Sequence, residues 1–399
     1  MINLSLILND VAKFVTSKID ILEIDETNYV STENMLPNKC GVSEASSLPN
    51  TQTVREYLPN DILINNIRPY FKKIWFSNKC GGCSNDVFVL RTKKNYDSKF
   101  LYYVLSSDDF FSYVMATAKG TKMPRGDKKA IQKYNVPEFP IEDQIKISSF
   151  LNIIDQKIEI NKELNKKLDL LLDLLFNENF INKFNNEDVG WKIKNIGELP
   201  LVITDYVANG SFASLKENVS ILDYEDYAYF IRNTDLKSKS FEKFVNKHSY
   251  DFLKKSSLYG NEILISNVGD VGSVYLCPFL DKPMTLGNNM ILVKSKDISI
   301  YLNYYLFLLF KSNYGQYLLS TITTGSVQSK FNKTEFKSLE LILPNDELII
   351  KFNEIVSPIF VYKNKISDEI TRLVNLRDVL LPKLMSGEID VSEVNCDLE

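Results

Sequence analysis

The sequence predicts a mixed α/β (α+β) protein in which one plan is used twice, as two similar domains each followed by a long helix. Three observations carry that prediction. Short motifs return in the same order at a nearly constant offset. Within each copy, short apolar runs bounded by Asn, Asp and Gly alternate with longer aromatic-rich stretches. After each copy comes a segment whose apolar residues fall four and three apart.

The repeat is built from five matches. Leu63-Ile64-Asn65-Asn66-Ile67 returns as Leu264-Ile265-Ser266-Asn267-Val268. Ser84-Asn85-Asp86-Val87-Phe88-Val89-Leu90-Arg91 returns as Gly287-Asn288-Asn289-Met290-Ile291-Leu292-Val293-Lys294. Tyr102-Tyr103-Val104-Leu105 returns as Tyr304-Tyr305-Leu306-Phe307, and Gly120-Thr121 as Gly325-Ser326. Val136-Pro137-Glu138-Phe139-Pro140 returns more loosely as Glu340-Leu341-Ile342-Leu343-Pro344. The offsets are 201, 203, 202, 205 and 204. A period this long excludes a solenoid and marks two whole domains.

Within the first copy, Ile62 to Ile67 and Val87 to Leu90 are β-branched, apolar runs that predict buried strands. Lys99 to Ala118 is too long for a strand and predicts a helix packed on the sheet. Cys80-Gly81-Gly82-Cys83 predicts a turn between strands, since no second Cys pair or nearby His completes a zinc site. Pro137 to Pro140 and Pro344 interrupt regular structure before each long helix.

The first long helix carries Ile147, Leu151, Ile154, Ile158, Asn161, Asn165, Leu168, Leu172 and Leu175 in alternating steps of four and three, a coiled-coil seam. Its two Asn weaken the seam but fix register. The second carries Leu348, Phe352, Ile355, Ile359, Tyr362 and Ile366, then shifts to Ile370, Leu373, Leu376 and Leu380. Pro358 should kink this helix or mark its true start. Because both follow equivalent points of the repeat, pairing of the two helices with each other is favoured over packing on their own domains. The predicted divisions are 1–140 (first domain), 141–184 (first helix), 185–344 (second domain) and 345–399 (second helix and tail).

The net charge of −4 argues against a nucleic-acid binder until it is divided along the chain. Residues 65–135 carry fourteen Lys and Arg against five Asp and Glu. Both helical blocks are acidic, and residues 191–340 are near neutral. Phosphate binding needs a local basic surface, not a basic average. A lysine-rich solvated face would give the same count.

Absences narrow the function. The lone histidine, His248, excludes His-pair metal sites and leaves any His-based triad to one residue. No glycine is followed by lysine, which excludes a P-loop, and no Gly-x-Gly-x-x-Gly is present. No Asn-Pro-Pro or Asp-Pro-Pro tripeptide offers a grip for a flipped base. No catalytic or metal-binding residues are therefore expected. Five cysteines, an odd count, fit a reducing cytoplasm. No run of 18 apolar residues predicts a membrane span, and Met1 to Val30 lacks the features of a secretory signal.

Three stretches then carry a family resemblance. Asn60-Asp61-Ile62-Leu63-Ile64-Asn65-Asn66-Ile67-Arg68-Pro69 resembles a strand-and-loop signature of the specificity subunits of type I restriction–modification systems. Pro140-Ile141-Glu142-Asp143-Gln144-Ile145-Lys146-Ile147 resembles the Pro-x-x-x-Gln-x-x-Ile start of their conserved helix. Leu376-Arg377-Asp378-Val379-Leu380-Leu381-Pro382-Lys383-Leu384-Met385-Ser386-Gly387-Glu388-Ile389 closely resembles their C-terminal signature. The second exit, Pro344-Asn345-Asp346-Glu347-Leu348, lacks the Gln and leaves that helix start less defined.

The resemblance implies two target recognition domains related by an approximate two-fold axis, with two antiparallel coiled-coil helices as spacer. It implies that each domain reads half of a split double-stranded DNA target. It further implies that the helices dock two methyltransferase subunits, with two motor-nuclease subunits as possible additions. No cofactor is expected in this chain. S-adenosylmethionine would belong to the methyltransferase, and ATP with Mg²⁺ to the restriction subunit. Ile145 to Phe176 would span roughly 48 Å as a helix, enough to hold readers one DNA turn of about 34–36 Å apart.

Base and phosphate contacts need Arg, Lys, Asn, Gln or Ser on loops. The candidates in the first domain are Asn66, Arg68, Lys72, Lys73, Lys119, Thr121, Lys122, Arg125 and Lys128. Those in the second are Asn267, Ser326, Gln328 and Lys330, with Asp205 and Tyr206 as weaker ones. Asn66 and Asn267 could instead be buried asparagines that cap a turn. Two other functions stay open: a coiled-coil adaptor with protein-binding domains, and a stand-alone DNA-modifying enzyme.

Overall fold

The computed structural model describes residues 5–184, 190–296, 301–325 and 328–390. The chain forms two compact units, one joining Met1–Asn161 to Glu369–Glu399 and the other spanning Lys162–Asp368. Each unit therefore holds one domain of the repeat and about half of each long helix.

In the first unit an antiparallel sheet runs in the order Ala12–Phe14, Val87–Thr92, Ile62–Asn65, Ile74–Phe76. Ile62 and Ile64 pack into the main core, while Leu63 packs against Tyr57, Cys83 and Val89 on the other face. Burial on both faces explains why this strand is continuously apolar rather than alternating. The predicted helix over Lys99 to Ala118 is two helices, Ser98–Leu105 and Asp108–Ala116. The break follows from Ser107, whose hydroxyl accepts from the Phe110 N–H at 3.2 Å and caps the second helix.

A second sheet runs Lys18–Asp20, Thr53–Tyr57, Gly81–Cys83, Tyr29–Val30. Gly81 and Gly82 are thus in a strand, not in the predicted turn. A Cβ on Gly81 would meet the Asn28 carbonyl at 2.2 Å, and one on Gly82 would meet Val54 at 2.4 Å. The glycines are there because neighbouring groups approach the strand closely.

The second unit repeats the first sheet as Leu201–Asp205, Met290–Ser295, Ile263–Ser266, Val274–Leu276. Ile263 and Ile265 again face one core and Leu264 the other. Helices Tyr301–Lys311 and Asn313–Ile322 match the first unit's pair. The second sheet here has five strands, against four in the first unit.

The long helices are Ile141–Asn179 and Asp346–Met385. Gln144 explains the first exit motif. Its buried side chain accepts from the Asp97 N–H at 2.9 Å and donates to the Phe139 carbonyl at 2.8 Å, pinning the helix start to the domain. At the second exit the Asn345 side chain instead accepts from the Leu348 N–H at 2.9 Å. The second helix passes through Pro358 without a break, so Pro358 does not start it. Pro358 is exposed, so its ring lies on the solvent side of the helix and not in the core.

Each core is closed by both helices. In the first unit Ile147 and Leu151 meet Leu381 and Leu384 in one core, and Gly387 ends the second helix with a φ of 73°. In the second unit Ile349, Phe352, Val356 and Phe360 join Leu172, Phe176 and Phe180. The helices pair antiparallel within each unit: Asn161 donates to Glu369 at 3.0 Å in the first, and Asn165 to Ser367 at 3.3 Å in the second.

Of the seam residues, Ile147, Leu151, Ile154, Ile158, Asn161, Leu172 and Ile366 are buried. Asn165, Leu168, Leu175, Ile359, Ile370, Leu373 and Leu380 are half-buried. Tyr362 departs from the expectation and is exposed, as are Ile355 and Leu376. The buried positions from Ile349 to Phe360 step by three, four and four, following 3.6 residues per turn, so a strict 3.5-residue seam drifts off the buried face. At the next buried-side position Lys363 reaches Asp169 at 2.7 Å.

Candidate nucleic-acid interface

In both units the central strand ends in a loop on which a short hairpin sits, and the backbone bonds correspond one for one. In the first unit the Asn66 N–H donates to the Asp86 carbonyl at 2.8 Å, and the Gly126 N–H to the Asn66 carbonyl at 3.1 Å. In the second the Asn267 N–H donates to Asn289 at 3.2 Å, and the Phe331 N–H to Asn267 at 3.1 Å. Arg68 N–H to Pro124 at 2.8 Å corresponds to Gly269 N–H to Ser329 at 3.0 Å. Lys119 and Arg125 close the first hairpin with two bonds of 2.9 Å, as do Thr324 and Lys330 in the second.

The tips of these hairpins are exposed: Lys119, Gly120, Thr121, Lys122, Met123 and Arg125 in the first unit, and Thr324, Gly325, Gln328, Ser329 and Lys330 in the second. Ser326 lies outside the described residues. The structure thus joins two stretches far apart in sequence, residues 66–73 with 119–126, into one exposed loop pair.

Several candidates are already engaged by neighbouring groups. Asn66 and Asn267 are half-buried at the hairpin root, each with its side-chain oxygen buried, and Asn267 donates to the Phe331 carbonyl at 2.9 Å. The Asn267 side chain holds its loop, and Asn66 holds its own through the backbone bonds above. Lys73 donates to the Thr32 carbonyl at 2.7 Å, and burial lowers its pKa. Lys72 bonds Asp108 at 2.9 Å, and that bond holds the Asp108 carboxyl below its ordinary range. Lys119 pairs with Asp127, and Arg125 with Asp86 at 3.1 Å. Lys128 lies 4.6 Å over the Phe14 ring. Arg68, Lys122, Gln328 and Lys330 are exposed and have no ion pair among the described residues. Asp205 is engaged by Lys333 at 3.1 Å, and Tyr206 packs in a small core with Phe230, so neither weaker candidate is presented freely.

Sequence reasoning missed Tyr70 and Phe71. They are exposed and in mutual contact, with ring centroids 4.6 Å apart, on the same loop as Arg68. Exposed aromatics beside cations suit contact with bases or sugars. The signal was legible in Arg68-Pro69-Tyr70-Phe71-Lys72-Lys73, but exposure of the rings was not.

Among the described residues no group of three or more His, Cys, Asp or Glu is placed to hold a metal ion. No helix among them is long and apolar enough to cross a membrane.

The model of the type I restriction modification DNA specificity domain matches residues 8–170 and again 180–372. The two matches follow the two halves of the repeat. The chain is similar to two Methanocaldococcus jannaschii proteins. It is 24% identical to the type I restriction enzyme MjaVIII specificity subunit, over 97% of this chain and 93% of the relative. It is also 24% identical to the MjaIX specificity subunit, over 74% of this chain and 70% of the relative. In fold it matches the S subunit of a type I restriction–modification system from M. genitalium, with a TM-score of 0.55, 16% identity and 96% and 95% of the two chains covered.

Proposed function

The chain belongs to the type I restriction modification DNA specificity family and is a non-catalytic specificity subunit; from that premise we propose that each of its domains reads one half of a bipartite double-stranded DNA target through the paired loop and hairpin. The observation that carries this reading is the loop pair itself. It is built by the same backbone bonds in both units while its exposed residues differ, which is what two readers of unlike half-sites require. A protein-binding adaptor gives no reason for cations and aromatics to cluster on one of these loop pairs.

The helices recruit the rest of the complex. Exposed apolar side chains recur at matched positions, offset by 205: Ile145, Leu376 and Val379 in the first unit, and Ile350, Leu171 and Leu174 in the second, all between 42% and 61% exposed. Two like surfaces suit two copies of one partner, and the methyltransferase subunit is that partner. Catalysis, S-adenosylmethionine, and ATP with Mg²⁺ belong to the methyltransferase and restriction subunits. The length of the paired helices sets the gap between half-sites.

The test is methylome sequencing of cells carrying Lys122→Ala or Arg125→Ala, alongside co-purification with the methyltransferase. Weakened methylation of one bipartite adenine motif with intact assembly is expected. Loss of assembly would instead place this hairpin against the partner and sink the reading.

A further inference from the structure

The two loop pairs share a scaffold but not a charge. Lys119, Lys122 and Arg125 match Thr324, Val327 and Lys330 at a constant offset of 205. The acids that accompany the first set change with them. Asp86, which pairs with Arg125, matches Asn289, and Asp127, which pairs with Lys119, matches Asn332. The shared structural task survives: Asp127 and Asn332 both cap a short helix, accepting two backbone N–H groups each. The acids leave together with the cations they pair, so each hairpin keeps one cation outside these pairs, Lys122 in the first and Lys330 in the second, and the difference in charge lies in the other loop.

The loop after the central strand shows the same contrast at its backbone. It enters and leaves through left-handed residues in both units. In the second unit these are Gly269 and Gly272, with φ of 80° and 90°. In the first they are Arg68 and Lys72, both with φ of 50°. A side chain in that region costs conformational energy that glycine does not. The first unit bears that cost and keeps an exposed arginine where its own counterpart is glycine. Such an outlier points to a task for the side chain. Next to Gly269 the second unit carries Asp270, already engaged by Lys237 at 3.2 Å and Ser273 at 3.0 Å.

We infer that the two domains divide the work on DNA unequally. The first supplies most of the salt-sensitive phosphate contacts, through Arg68 and Lys122. The second keeps on its hairpin a single cation with no ion pair among the described residues, Lys330, and discriminates sequence mainly through uncharged groups, Thr324 and Gln328. This rests on the proposed role of the loop pairs. It follows from electrostatics: each phosphate neutralised by Lys or Arg steepens the fall of log affinity with log salt by about 0.9. Neutral amide and hydroxyl contacts to bases leave that slope alone and alter preference between sequences.

The full chain, purified with its methyltransferase subunit, is titrated with two duplexes over a salt series. One carries the motif read from the methylome and the other is of mixed sequence. Arg68→Gly with Lys122→Ala should make the slope shallower by about 2 on both duplexes and leave the methylated motif unchanged. Thr324→Ala with Gln328→Ala should leave the slope unchanged. It should lower the preference for the motif duplex roughly ten-fold, as loss of one good base contact does. If either double variant fails to fold, Lys122→Ala and Gln328→Ala alone carry the comparison, with a slope change of about 0.9 expected only for the former. Equal slope losses from the two domains would overturn the division of labour, as would a first-domain variant that weakens binding with its slope intact. Unchanged affinity of both variants for both duplexes would bring down the loop-pair reading itself.

Discussion

Replacing Arg377 by alanine should unlock the C-terminal helix from the first domain. The Arg377 guanidinium bonds Asp155 at 3.0 Å, and the other Asp155 oxygen accepts from the Tyr103 hydroxyl at 2.7 Å. The two charged side chains are 18% and 25% exposed. Burial works against the Arg377 charge, but Asp155 and Asp378 outweigh it and raise its pKa. Breaking a fully buried pair costs about 3–5 kcal/mol, while exposed pairs contribute about 0–1 kcal/mol. Partial exposure and the surviving Tyr103 bond place this pair between those limits, at roughly 2–3 kcal/mol. For a unit of this size that is roughly 4–12 °C in melting temperature. Thermal and denaturant unfolding of Arg377→Ala, Asp155→Ala and the double variant measures it and isolates the coupling. Replacing both residues by leucine should recover part of that loss, because no orphaned charge remains. Adding Tyr103→Phe, so that no buried hydroxyl is left without its Asp155 acceptor, should bring stability to within about 1 kcal/mol. The matched position in the second unit shows that an apolar solution is possible: Phe360 stands 205 residues after Asp155 and stacks on Tyr304 at 4.2 Å. A loss below about 1 kcal/mol for Arg377→Ala would refute the reasoning, as would a leucine double variant no more stable than the single one.

Two further outcomes follow from the tyrosines. Tyr103→Phe should cost roughly 1.5–3 kcal/mol, since it removes a hydrogen bond to a carboxylate. Its repeat partner Tyr305 has a buried hydroxyl without a hydrogen-bond partner among the described residues, so Tyr305→Phe should be neutral or stabilising; calorimetry of both variants checks the opposite signs. Burial raises the pKa of Tyr103 and Tyr305 and pushes Tyr102 up to about 12. The unfolded chain therefore loses these protons first, so their contribution is fully present below about pH 10 and is lost as pH rises toward 12 and beyond. Denaturant midpoints that hold steady across that window would contradict it.

How much was legible in the sequence differs between fold and site. The repeat, the central strands, the two long helices and the acidic helical blocks against a basic loop region could all be read from residue order. These features depend on local periodicity and composition, which any segment carries with it. The five weak matches at nearly constant offset turned out to mark the same strands, helices and hairpins in both units. Where local reading failed, a neighbour distant in sequence decided. Gly81 and Gly82 look like a turn and form a strand, because Asn28 and Val54 press against them. Tyr362 fits the heptad and faces outward, because the helix follows 3.6 residues per turn on the domain core and Lys363 turns inward to Asp169.

The candidate site divides in the same way. Residue type alone marked the basic loops. It could not show that Asn267 is spent at its hairpin root with the Asn66 side-chain oxygen buried at the other, or that Lys72, Lys119 and Arg125 are already paired with acids. Nor could it show that Arg68 and Lys122 have no ion pair among the described residues, or that Arg68 stands where the other unit has a glycine's backbone. Sequence by itself determined that there are two similar domains and which loops carry the candidate residues. Tertiary structure decided which side chains on those loops are free to act, because a charge's partners and a residue's φ are set by segments it does not adjoin.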